Sequence, residues 1–445
     1  MNSKSLSTSL AEFVSGAKYE QFPFQVVERA KTCILDMLSS AYAGRNLPWI
    51  RIAVDLVKDK PGDCTVISYE HKVPAMDAAL ANGAMGHSVV REDTIGAAHP
   101  MAEVMPAVIA TAEQENASGT DFLTALILGY EIEGRLSLRC TMGSGLHPGF
   151  RPGSVLGPLG AAVGVGKLLK FDTTLLVHTI GFAANMSSGI TEAWWPGAMD
   201  VMFQTGLAAR NGILAATLAG AGATSSATAL DGRDGFFRAF TGSNQNLKVV
   251  TADLGKRFMI LETTYKPYPI CYFALMPLDI TLSLKEQYKI TAGDIDKVIE
   301  RAPTVADLAP NNGFTGPFDN NLQAQMSAPF SIAAALLGKP VRMPSFFAEH
   351  YNDPEILQMA QKVKVIGEDD RKLYRMEIYM KDGKEYTLEE DISHKLIPTR
   401  EELEARFMEA ATSFLGVEKA ADILDTIMNL DKVDNIRSLT GKLYK

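Results

Sequence analysis

A chain of 445 residues lies well past the roughly 250–300 at which one hydrophobic core stops growing, so two domains are expected. With 47% hydrophobic and 21% charged residues, and 36 Gly and 21 Pro spread thinly, the composition excludes disorder, collagen and coiled coil. Lys plus Arg total 43 against 52 Asp plus Glu, a formal net charge of -9, so there is no bulk basic field for DNA or RNA, although a local cationic pocket for a small anion is still allowed.

From the N-terminus to about Lys266 the periodicity is helical. Leu10, Phe13 and Val14, then Val26, Val27, Ala30, Ile34, Leu35 and Leu38, recur at spacings of three and four. Phe122 to Leu138, Gly160 to Leu169 and Gly206 to Leu218 behave alike, and the last two are rich in Ala and Gly, as expected for closely packed central helices of a bundle. Past Lys266 the period changes to two at Val363 and Val365 and at Tyr374, Met376, Ile378 and Met380, with Asp382-Gly383 as a hairpin turn before Tyr386 and Leu388. A helix over Ala324 to Leu337 is expected in the same segment. Thr399-Arg400-Glu401-Glu402 has the form of a capping box opening a helix through Phe407 and Ala411. The architecture expected is mainly α: a large helical bundle domain built from both chain ends (1–266 and 396–445) with a smaller α+β domain (267–395) inserted.

Several signatures fail on inspection. Gly164-Val165-Gly166-Lys167-Leu168 puts Ala161 where a phosphate loop needs its leading Gly and Leu168 where it needs Ser or Thr. No HExxH, GxSxG or dinucleotide glycine pattern occurs, and Cys33, Cys64, Cys140 and Cys271 form no CxxC pair or zinc spacing, so no metal is expected and the thiols should be reduced and buried. The first residues lack a signal-peptide core and no apolar stretch is long enough to span a bilayer, so a cytoplasmic address without a membrane partner is expected. His71, His178, His350 and His394 stand away from other chemistry.

Three segments remain where polar groups interrupt apolar helical surroundings. Residues 86–100 carry His87, Arg91, Glu92, Asp93, Thr94 and His99; residues 143–154 carry His147 and Arg151; residues 264–269 carry Lys266 and Tyr268. A lysine between aromatics and prolines at a domain boundary is a natural cleft residue, and equally a loop lysine in water.

These segments in this order, with Leu10-Ala11-Glu12-Phe13-Val14, Ala79-Leu80-Ala81-Asn82-Gly83-Ala84, Gly157-Pro158-Leu159-Gly160-Ala161-Ala162 and Lys266-Pro267-Tyr268-Pro269, resemble the MmgE/PrpD family over essentially the whole chain. That family includes 2-methylcitrate dehydratase, cis-aconitate decarboxylase and iminodisuccinate epimerase. The resemblance implies a helical bundle with an inserted α+β domain, an active site between them, a homodimer, and no cofactor or metal. This chain departs from the family's catalytic pattern. Where dehydratase-like members have HS-x-D-x-D-D-T, it has His87-Ser88-Val89-Val90-Arg91-Glu92-Asp93-Thr94; Arg151 replaces the histidine of GFHP; Val201 and Gln204 replace the lysine and histidine of K-x-x-H-x-G-x-A-A; and Phe330 replaces a tyrosine. His99 and Lys266 match.

Dehydration needs a base for the proton alpha to a carboxylate and an acid for the departing hydroxyl, whereas epimerisation needs only a base and a conjugate acid on opposite faces of one carbon. Losing an acid, a histidine, a lysine and a phenol favours the second. The leading expectation is therefore a cofactor-independent epimerase of the iminodisuccinate type acting on a small di- or polycarboxylate. Its expected catalytic groups are Lys266, His99 and His147, with Arg91, Arg151, Asp93, Thr94 and Tyr268 binding substrate and the arginines clamping carboxylates. The alternatives are a hydro-lyase of the methylcitrate type, a lyase like cis-aconitate decarboxylase, and a non-catalytic binder of anionic metabolites.

Overall fold

The computed structural model describes residues 4–142, 145–391 and 393–445; Gly143 and Ser144 of the second polar segment lie outside them. The first half is helical: α1 (Leu6–Gly16), α2 (Phe24–Gly44), α3 (Pro48–Val57), α4 (Ala75–His87), α5 (Pro100–Gln114), α6 (Gly119–Cys140), α7 (Pro152–Leu168), α8 (Thr173–Asn185) and α9 (Asp200–Gly220), then the short α10 (Phe236–Thr241) and α11 (Lys248–Thr251). The small hairpin β1 (Cys64–Thr65) and β2 (Lys72–Val73) between α3 and α4 interrupts the helical periodicity that the sequence suggests throughout. Helices α5, α6 and α9 surround α7, whose glycines let their backbones close in: a Cβ on Gly160 would lie 2.9 Å from the Gly129 carbonyl oxygen. The phosphate-loop lookalike is inside α7, where Lys167 donates to the carbonyls of Val14, Ser15 and Ala17 and so caps the C-terminal end of α1.

The chain then continues through α12 (Tyr272–Tyr288), β3 (Ile295–Pro303), α13 (Thr304–Asp307), α14 (Asn321–Met326), α15 (Ala328–Leu336), α16 (Pro344–His350), α17 (Pro354–Ala360), β4 (Val363–Glu368), β5 (Tyr374–Met380) and β6 (Glu385–Glu390). The single helix expected over Ala324 to Leu337 is two. Ser327 breaks it, its hydroxyl accepting the Phe330 N–H as the cap of α15, with Pro329 in the first turn. The period-two runs are strands, and β5 and β6 pair antiparallel around a turn with Gly383 at φ 88°. The sheet order β4-β3-β5-β6 puts β3 in the middle, parallel to β4 and antiparallel to β5. The chain ends in α18 (Arg400–Leu415), α19 (Val417–Met428) and the short α20 (Arg437–Thr440), and Thr399 and Glu402 form the capping box.

Buried apolar side chains form two clusters. One draws on residues from Leu6 to Tyr265, on Leu403 to Leu443, and on Leu322; the other on residues from Tyr268 to Leu396. The chain passes between them at Lys266 and returns after Leu396, and the Tyr265 N–H donates to the Leu396 carbonyl at 2.8 Å. All four cysteines are free and buried. Among the described residues no helix is long and apolar enough to cross a membrane.

Glu300 on β3 is wholly buried and neither carboxyl oxygen has a hydrogen-bond partner among the described residues, and burial, with Asp307 nearby, pushes its pKa up to about 8. The folded protein thus keeps a proton that the unfolded chain has released, an advantage complete below the ordinary carboxyl range and lost as pH rises to about 8. Glu300→Gln is expected to remove up to about 1.4 kcal/mol of destabilisation per pH unit across that window. Urea unfolding at pH 6 and pH 8 should show the variant's advantage growing with pH; an equal difference at both would contradict it.

Candidate active site

The expected polar segments converge where the chain crosses between the two cores. α4 delivers His87 in its last turn, and the following loop turns at Val90, whose φ of 55° is costly for a β-branched residue. Two residues later Glu92 faces inward. Thr94 and Thr264 exchange both backbone hydrogen bonds, at 2.8 and 2.9 Å, and their hydroxyls meet at 2.6 Å, which pins this loop beside the segment carrying Lys266. The Tyr265 side chain anchors that segment in turn, its hydroxyl lying 3.2 Å from Thr32 Oγ1 on α2. His99 and Arg151 occupy equivalent places, each at the N-cap position of a helix that begins with proline, α5 and α7 respectively.

The Glu92 carboxylate is the hub. Its Oε1 accepts from Lys266 Nζ at 2.7 Å and lies 3.3 Å from His99 Nδ1; its Oε2 lies 3.0 Å from His87 Nδ1, but out of line for a hydrogen bond, so Oε2 has no aligned donor. Lys266 also donates to the Val90 carbonyl at 3.3 Å. Arg151 Nη2 stands 3.0 Å from His87 Nε2, while Nη1 makes long contacts of 3.3–3.4 Å to the Val201 carbonyl, Ser154 Oγ and Gln204 Oε1. Trp194 walls this end, 5.7 Å from the Arg151 guanidinium and edge-on to His87 at 6.2 Å.

Hydrogen-bond logic assigns the protons. Guanidinium only donates, so His87 Nε2 accepts, and its ring is neutral with the proton on Nδ1. His99 Nδ1 faces two acceptors, the Asp93 carbonyl at 3.3 Å and Glu92 Oε1, so it carries the proton and Nε2 presents a bare lone pair. Burial, reinforced by the Lys266 and Arg151 charges, outweighs Glu92 and lowers the His99 pKa to about 3; burial and Arg151 lower that of His87 as well. For Glu92 burial acts upward, but Lys266 and the imidazoles prevail and hold the carboxylate well below its ordinary range. Lys266 Nζ donates to the Val90 carbonyl and to Glu92 Oε1, with which it forms a buried ion pair. The His99 side chain is 18% exposed while those of Lys266, Glu92 and His87 are 5% or less, so the imidazole of His99 is the cluster's most open face.

Of the expected site residues the structure brings Lys266, His99 and Arg151 together and sends the others elsewhere. Arg91, turned by Val90 to the opposite side of the loop from Glu92, reaches Ser39 Oγ at 3.5 Å near the Asp36–Arg406 pair linking α2 to α18. The Asp93 carboxyl oxygens accept from the Met101 N–H and the Tyr130 hydroxyl, and burial raises its pKa to about 8. The Thr94 side chain is spent on Thr264. Tyr268 points into the second core, donating to Asp279 beneath the Arg342 guanidinium. His147 is exposed, its backbone bonded to Phe240 and its ring against Gly242. Phe330 sits among Phe318, Phe346 and Phe347. The sequence reading left His87 and Glu92 without roles, although both lie in the motif that carried the resemblance, Glu92 at its second acidic position. A surface cavity of about 710 Å³ near Asn185, Arg233 and Phe236 contains none of the cluster. Among the described residues no group of three or more His, Cys, Asp or Glu could hold a metal ion.

The family model of the MmgE/PrpD N-terminal domain matches residues 8–247, and that of the C-terminal domain matches residues 268–432. The chain belongs to the MmgE/PrpD family. Its relatives in that family include cis-aconitate decarboxylases, 27% identical in Aspergillus terreus over 98% of this chain and 96% of that one. The human enzyme is 26% identical over 99% and 95%, and the mouse enzyme 25% identical over 99% and 93%. Both family models stop short of Lys266 on either side, at 247 and 268, so the lysine at the hub lies in the junction between the two matched regions.

Proposed function

We propose that this MmgE/PrpD protein moves a proton at a carbon alpha to a carboxylate of a small di- or polycarboxylate, with epimerisation as the overall reaction. The observation that carries this reading is the unprotonated Nε2 of His99, oriented through Nδ1 by Glu92 and the Asp93 carbonyl. His99 is the base. Lys266, an ammonium on the same carboxylate, is the complementary acid and stabilises the enolate charge. Arg151 holds a substrate carboxylate, exchanging its long neutral contacts for shorter charged ones. A neutral base and a charged acid are the starting complement, and epimerisation further requires the Lys266 proton to reach the face of the carbon opposite His99. The end-to-end similarity to cis-aconitate decarboxylases supports a second reading, in which Lys266 protonates the carbon from which carbon dioxide departs. The homodimer implied by the family belongs to the same proposal, and light scattering tests it.

Proton NMR in deuterium oxide decides between these reactions, with iminodisuccinate stereoisomers, citrate, 2-methylcitrate and cis-aconitate offered separately. The expected result is exchange of an alpha proton with equilibration of stereoisomers and an intact carbon skeleton. Loss of carbon dioxide would select the second reading, formation or hydration of an alkene would make the protein a hydro-lyase, and inertness toward all would overturn the assignment. Arg151→Ala is expected to raise KM about 10–100-fold with a smaller effect on kcat, in keeping with loss of uniform carboxylate binding. Steady-state kinetics check it, and an unchanged KM would remove Arg151 as a clamp.

A further inference from the structure

Directly behind the cluster, Glu103 on α5 and Glu133 on α6 are both wholly buried, and among the described residues their four carboxyl oxygens meet no side-chain donor beyond each other, with only the His99 peptide beside them. They lie on the glycine face of α7. A Cβ on Gly153 would stand 2.6 Å from Glu103 Oε1, one on Gly157 2.8 Å from Glu103 Cβ, and one on Gly160 2.8 Å from Glu133 Oε2, so the helix has been hollowed where the two acids pass. The carboxyls face each other, and each is the other's neighbouring charge. Two carboxylates placed so face each other acceptor to acceptor; a single proton between them makes one a donor and turns repulsion into a hydrogen bond.

Glu103 looks toward Arg151 and Glu92, and Glu133 toward Asp93, with the peptide of His99 beside both and Gly153, Gly157 and Gly160 of α7 against them. With one proton on the pair, the buried charges are Lys266 and Arg151 against Glu92 and one carboxylate, so they balance without substrate. A dicarboxylate arriving at Arg151 and Lys266 would leave two uncompensated negative charges in a dry site.

We propose that Glu103 and Glu133 share one proton in the free protein and take up a second when an anionic substrate binds, offsetting one of the charges that the substrate brings. The uptake rests on the polycarboxylate reading above; the shared proton does not. Burial raises Glu133 well above the carboxyl range and Glu103 to about 7, which places the second protonation where ordinary working pH can feel it. The pair is a positioning and charge-balancing element and touches no reacting atom.

Infrared spectra of the full chain labelled with ¹³C-glutamate test the shared proton without any ligand: a protonated-carboxyl component is expected at pH 7 that Glu133→Gln removes and Glu103→Gln alters. Its insensitivity to both variants would overturn the pair. Uptake is measured calorimetrically by binding propane-1,2,3-tricarboxylate or cis-aconitate in buffers of different ionisation heat. Wild type should approach one proton taken up per site between pH 7 and 9, with affinity falling about tenfold per pH unit, whereas Glu103→Gln should take up none and have a flatter profile. Binding without uptake in wild type would sink the second half of the proposal. If neither these anions nor iminodisuccinate binds, the polycarboxylate reading fails and the uptake with it, while the infrared result still judges the shared proton.

Discussion

Glu92→Gln should lower kcat/KM by about 10²–10⁴-fold, the usual range for loss of acid–base function, and should also destabilise the fold. Glutamine keeps the shape of the hub and removes the charge shared by Lys266, His99 and His87. His99 then loses the carboxylate that helps to fix its tautomer, and Lys266 is left buried with the Val90 carbonyl and an amide in place of its counter-charge. Removing one member of a buried ion pair costs about 3–5 kcal/mol. Both effects are read on one purified variant, by progress curves and urea unfolding. Full activity would mean that the lone pair of His99 is oriented without Glu92, and the proposed base would have to be reconsidered.

Lys266→Ala is expected to abolish turnover with the secondary structure intact. Its second consequence concerns pH. In the wild type the depressed Glu92 contributes stability that is present above the ordinary carboxyl range and lost only as pH falls well below it. Without the ammonium, the burial that already acts to raise Glu92 is opposed only by the imidazoles, and the carboxylate takes up a proton at higher pH. Acid unfolding should therefore begin at a higher pH in the variant, as circular dichroism across pH 3 to 7 would show. Turnover equal to wild type would remove Lys266 from the mechanism, and an unshifted acid transition would contradict its pairing with Glu92.

Much of the fold could be read from the sequence because single residues decide it. Period two at Tyr374, Met376, Ile378 and Met380 with Gly383 at the turn marks a hairpin, and Thr399 with Glu402 marks a helix start. β3 was illegible. Its register shifts between Ile295 and Lys297, and charged residues, Glu300 among them, occupy positions that alternation would fill with apolar side chains, although it is an inner strand with a partner on each side. The site was legible only as segments. Lys266, His99 and Arg151 stood out because each interrupts an apolar context, but which face of the loop each side chain takes depends on the backbone at Val90. That one turn sends Arg91 toward α2 and Glu92 toward Lys266, and no spacing rule contains it.

The two cores meet along unequal edges. On the Lys266 side the chain itself crosses twice, with Tyr265 and Leu396 bonded together. On the Trp194 side, side-chain amides of Asn311, Asn320 and Gln323 reach the carbonyls of Trp194, Trp195 and Pro196 without a covalent crossing. Such contacts are worth about 1 kcal/mol each. A wedge driven between the cores would therefore part them at the tryptophans first, with Lys266 near the fulcrum moving least. Lys266 and the Glu92 carboxylate are placed where leverage is poorest, and Arg151 with its indole wall where the gap would widen.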